Sequence, residues 1–260
     1  MRVVESLGVL LISIVLFSAC DTNCVKGIGD NITETIVVDD FSSIVAYGDM
    51  QVNIQYGETQ KVMVTGQANI IDLLRTKVKD EVWSIDFEAD CVTNLALQVD
   101  IIIPEIEGAV MLGSGHVRIN EFANQNEMKL EVIGSGDIAF NSLLANSLIV
   151  NLEGSGKIQA TGEMSAVDLY DVTIEGSGVV DTYNVISEVC TSSVDGSGEF
   201  NVTVNKTLDA HIIGSGEINY KGQPEVQQSI SESGSVNNRN CLFNNIKIGT
   251  KNVLGCDIDT

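Results

Sequence analysis

The stretch Ile174-Glu175-Gly176-Ser177-Gly178-Val179-Val180 decides the fold, because it recurs. Gly-Ser-Gly begins at Gly113, Gly134, Gly154, Gly176, Gly196 and Gly214, at spacings of 21, 20, 22, 20 and 18 residues. A degenerate seventh copy, Glu232-Ser233-Gly234, follows 18 residues on. Six near-periodic copies of one tripeptide do not arise from composition, and a period near 20 residues marks a stacked repeat. The flanks recur as well. Two residues before the motifs stand Met111, Val132, Leu152, Ile174, Val194, Ile212 and Ile230, and four residues after each first position stand Val117, Ile138, Ile158, Val180, Phe200, Ile218 and Val236. The two flanks are an even number of residues apart, so a locally extended chain sends both to one side, and the two glycines with them. The same parity runs backwards through Met128-Leu130-Val132, Leu148-Val150-Leu152, Tyr170-Val172-Ile174, Cys190-Ser192-Val194 and Leu208-Ala210-Ile212. Each repeat therefore reads as a strand with one buried face. The glycines either let one wall approach another or supply a φ > 0 bend.

One face of one strand makes no core, whereas stacked units pair their strands and join their apolar columns into a continuous interior. The expectation is a parallel β-solenoid with about 4.8 Å between rungs, so that seven rungs extend on the order of 30 Å. The polar segments 120–127 and 141–147 are turns, and the changing period is absorbed there.

Composition narrows the function. The 260 residues carry 14 Lys+Arg against 36 Asp+Glu, a formal charge of −22. A coat this acidic repels phosphate backbones and anionic headgroups, which excludes general nucleic-acid binding and leaves a lipid anchor as the only membrane contact. With 44% apolar residues there is ample material for a core.

The first residues read as an address. Arg2 precedes the apolar run Leu7 to Phe17, which ends in Ser18-Ala19-Cys20. Eleven apolar residues are too few to span a bilayer as a helix. They fit a signal peptide over 1–19 closed by a lipobox-like site, with Cys20 acylated as the mature N-terminus. Phe17 departs from the usual aliphatic residue of that site, and an ordinary secretory signal is the other reading. Five cysteines then remain, Cys24, Cys91, Cys190, Cys241 and Cys256, an odd number that leaves at least one thiol unpaired within the chain. Cys241 and Cys256 flank a short terminal segment and are the candidate bridge. Parity points Cys190 inward, as an inert core thiol.

A second pattern covers 32–105: Ile36-Val37-Val38, Phe41 and Ile44, Val52 and Ile54, Val62 and Val64, Trp83-Ile85-Phe87, and Val99-Ile101-Ile103-Pro104. These are short alternating strands, with Gly48, Gly57 and Gly66 at turns and a short helix or irregular turn over 69–79. Trp83, inside an alternating strand, reads as core. The organisation expected is a signal peptide at 1–19, a linker at 20–31, a β-rich part at 32–105 that forms leading rungs or a cap, repeats at 106–240, and a tail or cap at 241–260.

The run Asp39-Asp40-Phe41-Ser42-Ser43-Ile44, the alternating stretch after Gly48, the segment from Asn69 to Val78, Pro104 and the serial Gly-Ser-Gly-x-Ile/Val copies together resemble the auto-transporter adhesin head domain, the head GIN domain. The resemblance covers about 33–236. It implies a right-handed parallel β-helix at the envelope of a Gram-negative bacterium, at the outer membrane or cell surface, with an adhesive role. It brings no active-site residues.

The chemistry sought is mostly not found. Gly-Ser-Gly is not a Gly-x-Ser-x-Gly elbow, and six serines have only His116 and His211 to serve as base, about five rungs apart. A serine ladder bonding along the stack is the reading preferred. Glu153, Glu175 and Asp195, each just before a motif on successive rungs, place like charges about 4.8 Å apart. Either they splay into water, or a divalent cation such as Ca²⁺ bridges two of them, or Lys157 neutralises part of the charge. The expected function is that of a non-catalytic lipoprotein adhesin or binding module presenting a rigid β-helix to glycan, protein or another copy of itself. The alternatives are a carbohydrate-active enzyme of pectin-lyase-like shape and an envelope structural or assembly protein.

Overall fold

Alternation of aliphatic and polar residues commits each rung to strand, and two strands of a rung meet at every glycine motif. Gly108–Gly113 is followed by His116–Asn120, Gln125–Gly134 by Asp137–Asn141, and Leu144–Gly154 by Lys157–Ala160. The structure is a computed structural model, and it describes residues 24–93, 96–123 and 125–240 together with the backbone of 243–248 and 251–256. Its repeats form an all-β solenoid of about 6 turns with rungs of about 20 residues.

Neighbouring rungs pair parallel and in register, except that the pairing of Val179–Gly196 with Glu199–Gly214 shifts between Thr182 and Ile186 and again between Ser187 and Val189. Met111, Val132, Leu152, Ile174, Val194 and Ile212 form one column, and Val117, Ile138, Ile158, Val180, Phe200 and Ile218 another. Every one of these side chains is buried. Full burial of an aliphatic side chain contributes about 1.5–3 kcal/mol before chain entropy is counted, so the columns are the main favourable term.

The flanks of the motif both face inward, as parity requires, but the chain between them is bent rather than extended. Gly176 has φ +117°, a value that L side chains rarely adopt, and turns the chain from one wall to the next. Gly178 lies inside, where a Cβ would sit 2.6 Å from Leu152 Cδ2. The two explanations for glycine thus divide between the two positions: the first makes the corner, and the second makes room. The corner also carries the backbone ladder. Ser177 N donates to Gly154 O at 2.9 Å, and Ser135 N to Gly113 O at 2.9 Å, so consecutive motifs hold one another.

Tyr170 and Cys190 are register neighbours inside the core. The Tyr170 hydroxyl lies 3.0 Å from Thr182 Oγ1, which donates to Asn201 O at 2.8 Å. Burial pushes the Tyr170 phenol and the Cys190 thiol well above their ordinary values. A thiol needs its thiolate form to react. Native protein treated with iodoacetamide at neutral pH is therefore expected to leave the Cys190 peptide unmodified by mass spectrometry, with labelling only after denaturation. Native labelling of Cys190 would overturn this burial.

The N-terminal part joins the stack directly. Ser43–Gly48 pairs with Gly108–Gly113, and Gln51–Tyr56 pairs with His116–Asn120, placing Gly48 beside Gly113. Beyond that rung, position in the stack no longer follows the chain. Val82–Ile85 packs outside Ser43–Gly48, and Gln98–Ile103 outside Gln51–Tyr56, both parallel. Lys61–Gln67 and then Asn31–Ile36 add antiparallel to that wall. Gly66, expected at a turn, lies within Lys61–Gln67, where a Cβ would meet Leu97 Cδ1 at 3.0 Å. Only Ala68–Ile71 is helical in the segment from Asn69 onward. Trp83 is fully buried, with its ring 5.4 Å from that of Phe41.

A disulfide joins Cys24 to Cys91, and beside it Val25–Lys26 pairs with Val92–Thr93. This bridge was not foreseen, and it leaves Cys190 free. Of the bridge expected instead, Cys241 lies outside the described residues and Cys256 is described by its backbone alone, in a hairpin of Phe243–Ile248 and Lys251–Cys256. Cys20 also lies outside the described residues. Among the described residues no helix is long and apolar enough to cross a membrane.

Candidate binding surface

In-register stacking that builds core columns also builds solvent-facing ones, with equivalent residues about 4.8 Å apart. The column just before the motif reads Tyr47, Leu112, Ile133, Glu153, Glu175, Asp195, Ile213 and Ser231. Glu153, Glu175 and Asp195 are thus brought together as the sequence placed them, and all three are exposed. Among the described residues no group of three or more His, Cys, Asp or Glu is arranged to hold a metal ion. Lys157 serves a different acid from the one expected: its Nζ lies 3.9 Å from Asp181 Oδ2.

The histidines are apart, as expected. His116 Nδ1 lies 3.1 Å from Asp137 Oδ2, and His211 Nε2 lies 3.1 Å from Asp209 Oδ1, with five rung steps between the residues. The motif serines form no continuous hydroxyl ladder. Among the described residues only Ser215 and Ser233 bring their hydroxyls within hydrogen-bond distance, at 3.0 Å, and the ladder runs through serine N–H groups instead.

Asparagine supplies the side-chain ladder. Asn219 Nδ2 donates to Asn201 Oδ1 at 3.1 Å, Asn237 Nδ2 donates to Asn219 Oδ1 at 3.1 Å, and Arg239 Nε donates to the same oxygen at 3.0 Å. An amide has a donor and an acceptor at one end, so identical amides stacked in register satisfy one another. Beside this ladder Lys221 Nζ sits 4.2 Å from the centroid of the Tyr183 ring. Burial raises the Tyr183 phenol, against which the Arg239 charge acts. At a further corner the Asn205 amide, and after it Lys206, hold the Glu188 carboxyl below its ordinary value.

Clefts of about 290 and 270 Å³ lie on the stacked rungs, the first lined in part by Gln125, Asp168 and Glu188 and the second by Glu131, Glu153 and Glu175; two larger clefts lie at the N-terminal end, and these were not foreseen. Tyr47, 39% exposed, and Asp86 form a shared wall between two clefts. One, of about 430 Å³, is bordered by Arg75, Thr76, Lys77, Ser84 and Glu88. The other, of about 400 Å³, is bordered by Asp49, Phe87, Asp90, Val92 and Thr93. Their walls are fixed. Arg75 N donates to Asp86 O at 2.9 Å, Glu88 N to Leu73 O at 2.8 Å, and the buried Trp83 Nε1 to Arg75 O at 2.8 Å. Arg75 Nε in turn donates to Phe87 O at 2.9 Å and lies 3.8 Å from Asp86 Oδ2.

These features define a class: a parallel β-solenoid whose interior is committed to packing and whose chemistry lies on outward columns and end clefts. The chain belongs to the family described as "Putative auto-transporter adhesin, head GIN domain", whose model matches residues 40–224. Among solved structures it is similar to a putative lipid binding protein from Parabacteroides distasonis ATCC 8503, with 26% identity over 82% of this chain and 98% of that one and a TM-score of 0.69. A putative adhesin from Bacteroides fragilis NCTC 9343 shares the fold at 23% identity, covering 83% and 99% of the two chains with a TM-score of 0.73. A putative adhesin from Parabacteroides distasonis ATCC 8503 does so at 24% identity, covering 83% and 100% with a TM-score of 0.65. Curated proteins contain no match to this chain. Family membership supports an adhesin-like binding role at the cell surface or envelope.

Proposed function

We propose that this chain is a non-catalytic, lipid-anchored binding protein of a Gram-negative envelope, held at the outer membrane through Cys20, that presents its flanks to a glycan or protein ligand. The observation that carries this reading is the in-register stack, which holds rows of polar side chains on a backbone that cannot rearrange without breaking a ladder. Pre-organised rows lower the entropy lost on binding an extended partner. The separation of the two histidines supports a role without catalysis.

An anchor at Cys20 would also orient the molecule. Cys24 is four residues away and bridged to Cys91, so the tether spans at most about 14 Å fully extended. The N-terminal end then lies next to the bilayer, and the repeats project away from it.

The anchor is tested by detergent phase partition. The wild-type protein is expected in the detergent phase and Cys20→Ala in the aqueous phase; equal partition removes the anchor. The binding role is tested by screening the purified protein against glycans and extracellular matrix proteins. At least one saturable ligand is expected, and turnover of a polysaccharide without stable binding would favour an enzyme instead.

A further inference from the structure

The paired clefts at the N-terminal end are larger than those on the stacked rungs and take their walls from segments outside the repeats. From them we infer a subsite for a neutral saccharide, with Tyr47 as its platform and one sugar unit in each cleft. This rests on the reading of the chain as a binding protein and names the ligand class for one place on it.

Three observations carry the inference. The first is shape: two clefts of about 430 and 400 Å³ meet at one ridge, and both fall within the range of small-molecule sites. A ligand that crosses the ridge is linear, with linked units on either side of a ring. The second is chemistry. The Tyr47 ring stands at the ridge, 39% exposed, and an aromatic face takes the C–H face of a pyranose while its hydroxyl stays wet. Around it, carboxylates of Asp49, Asp86, Glu88 and Asp90 accept hydrogen bonds, and Arg75 and Lys77 donate them. Each sugar hydroxyl both donates and accepts, so a mixed border suits it. The excess of carboxylates disfavours a uronate or a sialic acid, and the two cations disfavour a basic peptide.

The third is rigidity. Arg75 is held by the Phe87 carbonyl, and its loop is held by the buried Trp83. The far wall is held by the Cys24–Cys91 bridge and by Val25 N donating to Cys91 O at 2.9 Å. Walls fixed before the ligand arrives cost little to order on binding.

The test is an array of neutral, sialylated and uronate-containing oligosaccharides probed with the purified wild-type protein, Tyr47→Ala and Tyr47→Phe, followed by titration calorimetry on the best glycan. Tyr47 is partly exposed at a strand end, so both variants are expected to melt within a few degrees of wild type, which separates lost binding from lost folding. A neutral glycan is expected to lead, with affinity at least tenfold weaker in Tyr47→Ala and nearly unchanged in Tyr47→Phe. Neutral-glycan binding that Tyr47→Ala leaves intact overturns the subsite while the binding role stands. Preference for an anionic glycan, or binding of matrix protein alone, does the same. Binding of neither glycan nor protein by wild type removes both readings.

Discussion

Gly176→Ala is expected to lower the unfolding free energy by about 3–5 kcal/mol, the sum of backbone strain at a position reserved for glycine and of overpacking. The added methyl meets backbone rather than a side chain that can turn aside. A Cβ on Gly176 would sit 2.5 Å from Gly154 O and 3.2 Å from Gly154 C, in the rung beneath. Relief would require the rungs to separate, which breaks the bond from Ser177 N to Gly154 O on which the corner relies. The φ of +117° adds its own cost, because an alanine there leaves the region open to L residues. Ser177→Ala is the control. Its side chain is exposed, so a change within about 0.5 kcal/mol is expected. Urea denaturation followed by circular dichroism reads both; a Gly176→Ala midpoint equal to that of Ser177→Ala would falsify the corner model.

Opening the disulfide is the second large effect. Cys24 and Cys91 are 67 residues apart in sequence, and closing a loop of that size removes denatured-state entropy worth about 4 kcal/mol in the chain-entropy account. Besides the bridge, the segment after Cys24 is held by the Asn69 side chain, which accepts from Ile28 N at 3.0 Å and donates to Lys26 O at 2.9 Å, and by a short ladder. The adjoining ladder is two residues long on each strand, Val25 with Val92 and Lys26 with Thr93. The Cys24→Ser/Cys91→Ser double variant is therefore expected to unfold at lower denaturant, with about 2–4 kcal/mol lost. It should also be cut by a non-specific protease within 24–30 and 88–93 before any cut in the repeats. Equal stability of the reduced and oxidised protein would show that the bridge ties together segments already held by other means.

How much of this was legible follows from where the information lies. The repeats were readable because a solenoid writes its tertiary contacts as a period: Leu152 pairs with Ile174 because each stands two residues before a glycine motif. Parity gave the buried flanks but not the bend, since it assumes an extended chain and the corner needs the positive φ of Gly176. One copy was overlooked. Ala46-Tyr47-Gly48-Asp49-Met50-Gln51-Val52 keeps both apolar flanks and the first glycine, and Gly48 sits in register with Gly113. Asp49 and Met50 replace the serine and the second glycine, which hid it.

The rest had no local mark. The weave that places Val82–Ile85 outside Ser43–Gly48 joins segments of unrelated pattern. The bridge from Cys24 to Cys91 is a choice among five cysteines that spacing cannot make. The N-terminal clefts take their walls from three separate stretches, around Tyr47, Arg75 and Asp86 to Thr93, and none of them is unusual by itself. Glu153, Glu175 and Asp195 were easier to see because they belong to the period, and their column stands where the period puts it.

The glycine corner has a consequence for the history of the molecule. Every rung ends in the same acceptor and begins with the same donor, so the join between Gly154 O and Ser177 N is chemically the join between Gly176 O and Ser197 N. A gene segment encoding one whole unit can be duplicated or lost, and the new neighbours still match. Reach then becomes a countable trait, changed in steps of about 4.8 Å, while either end of the molecule keeps its own specialised surface.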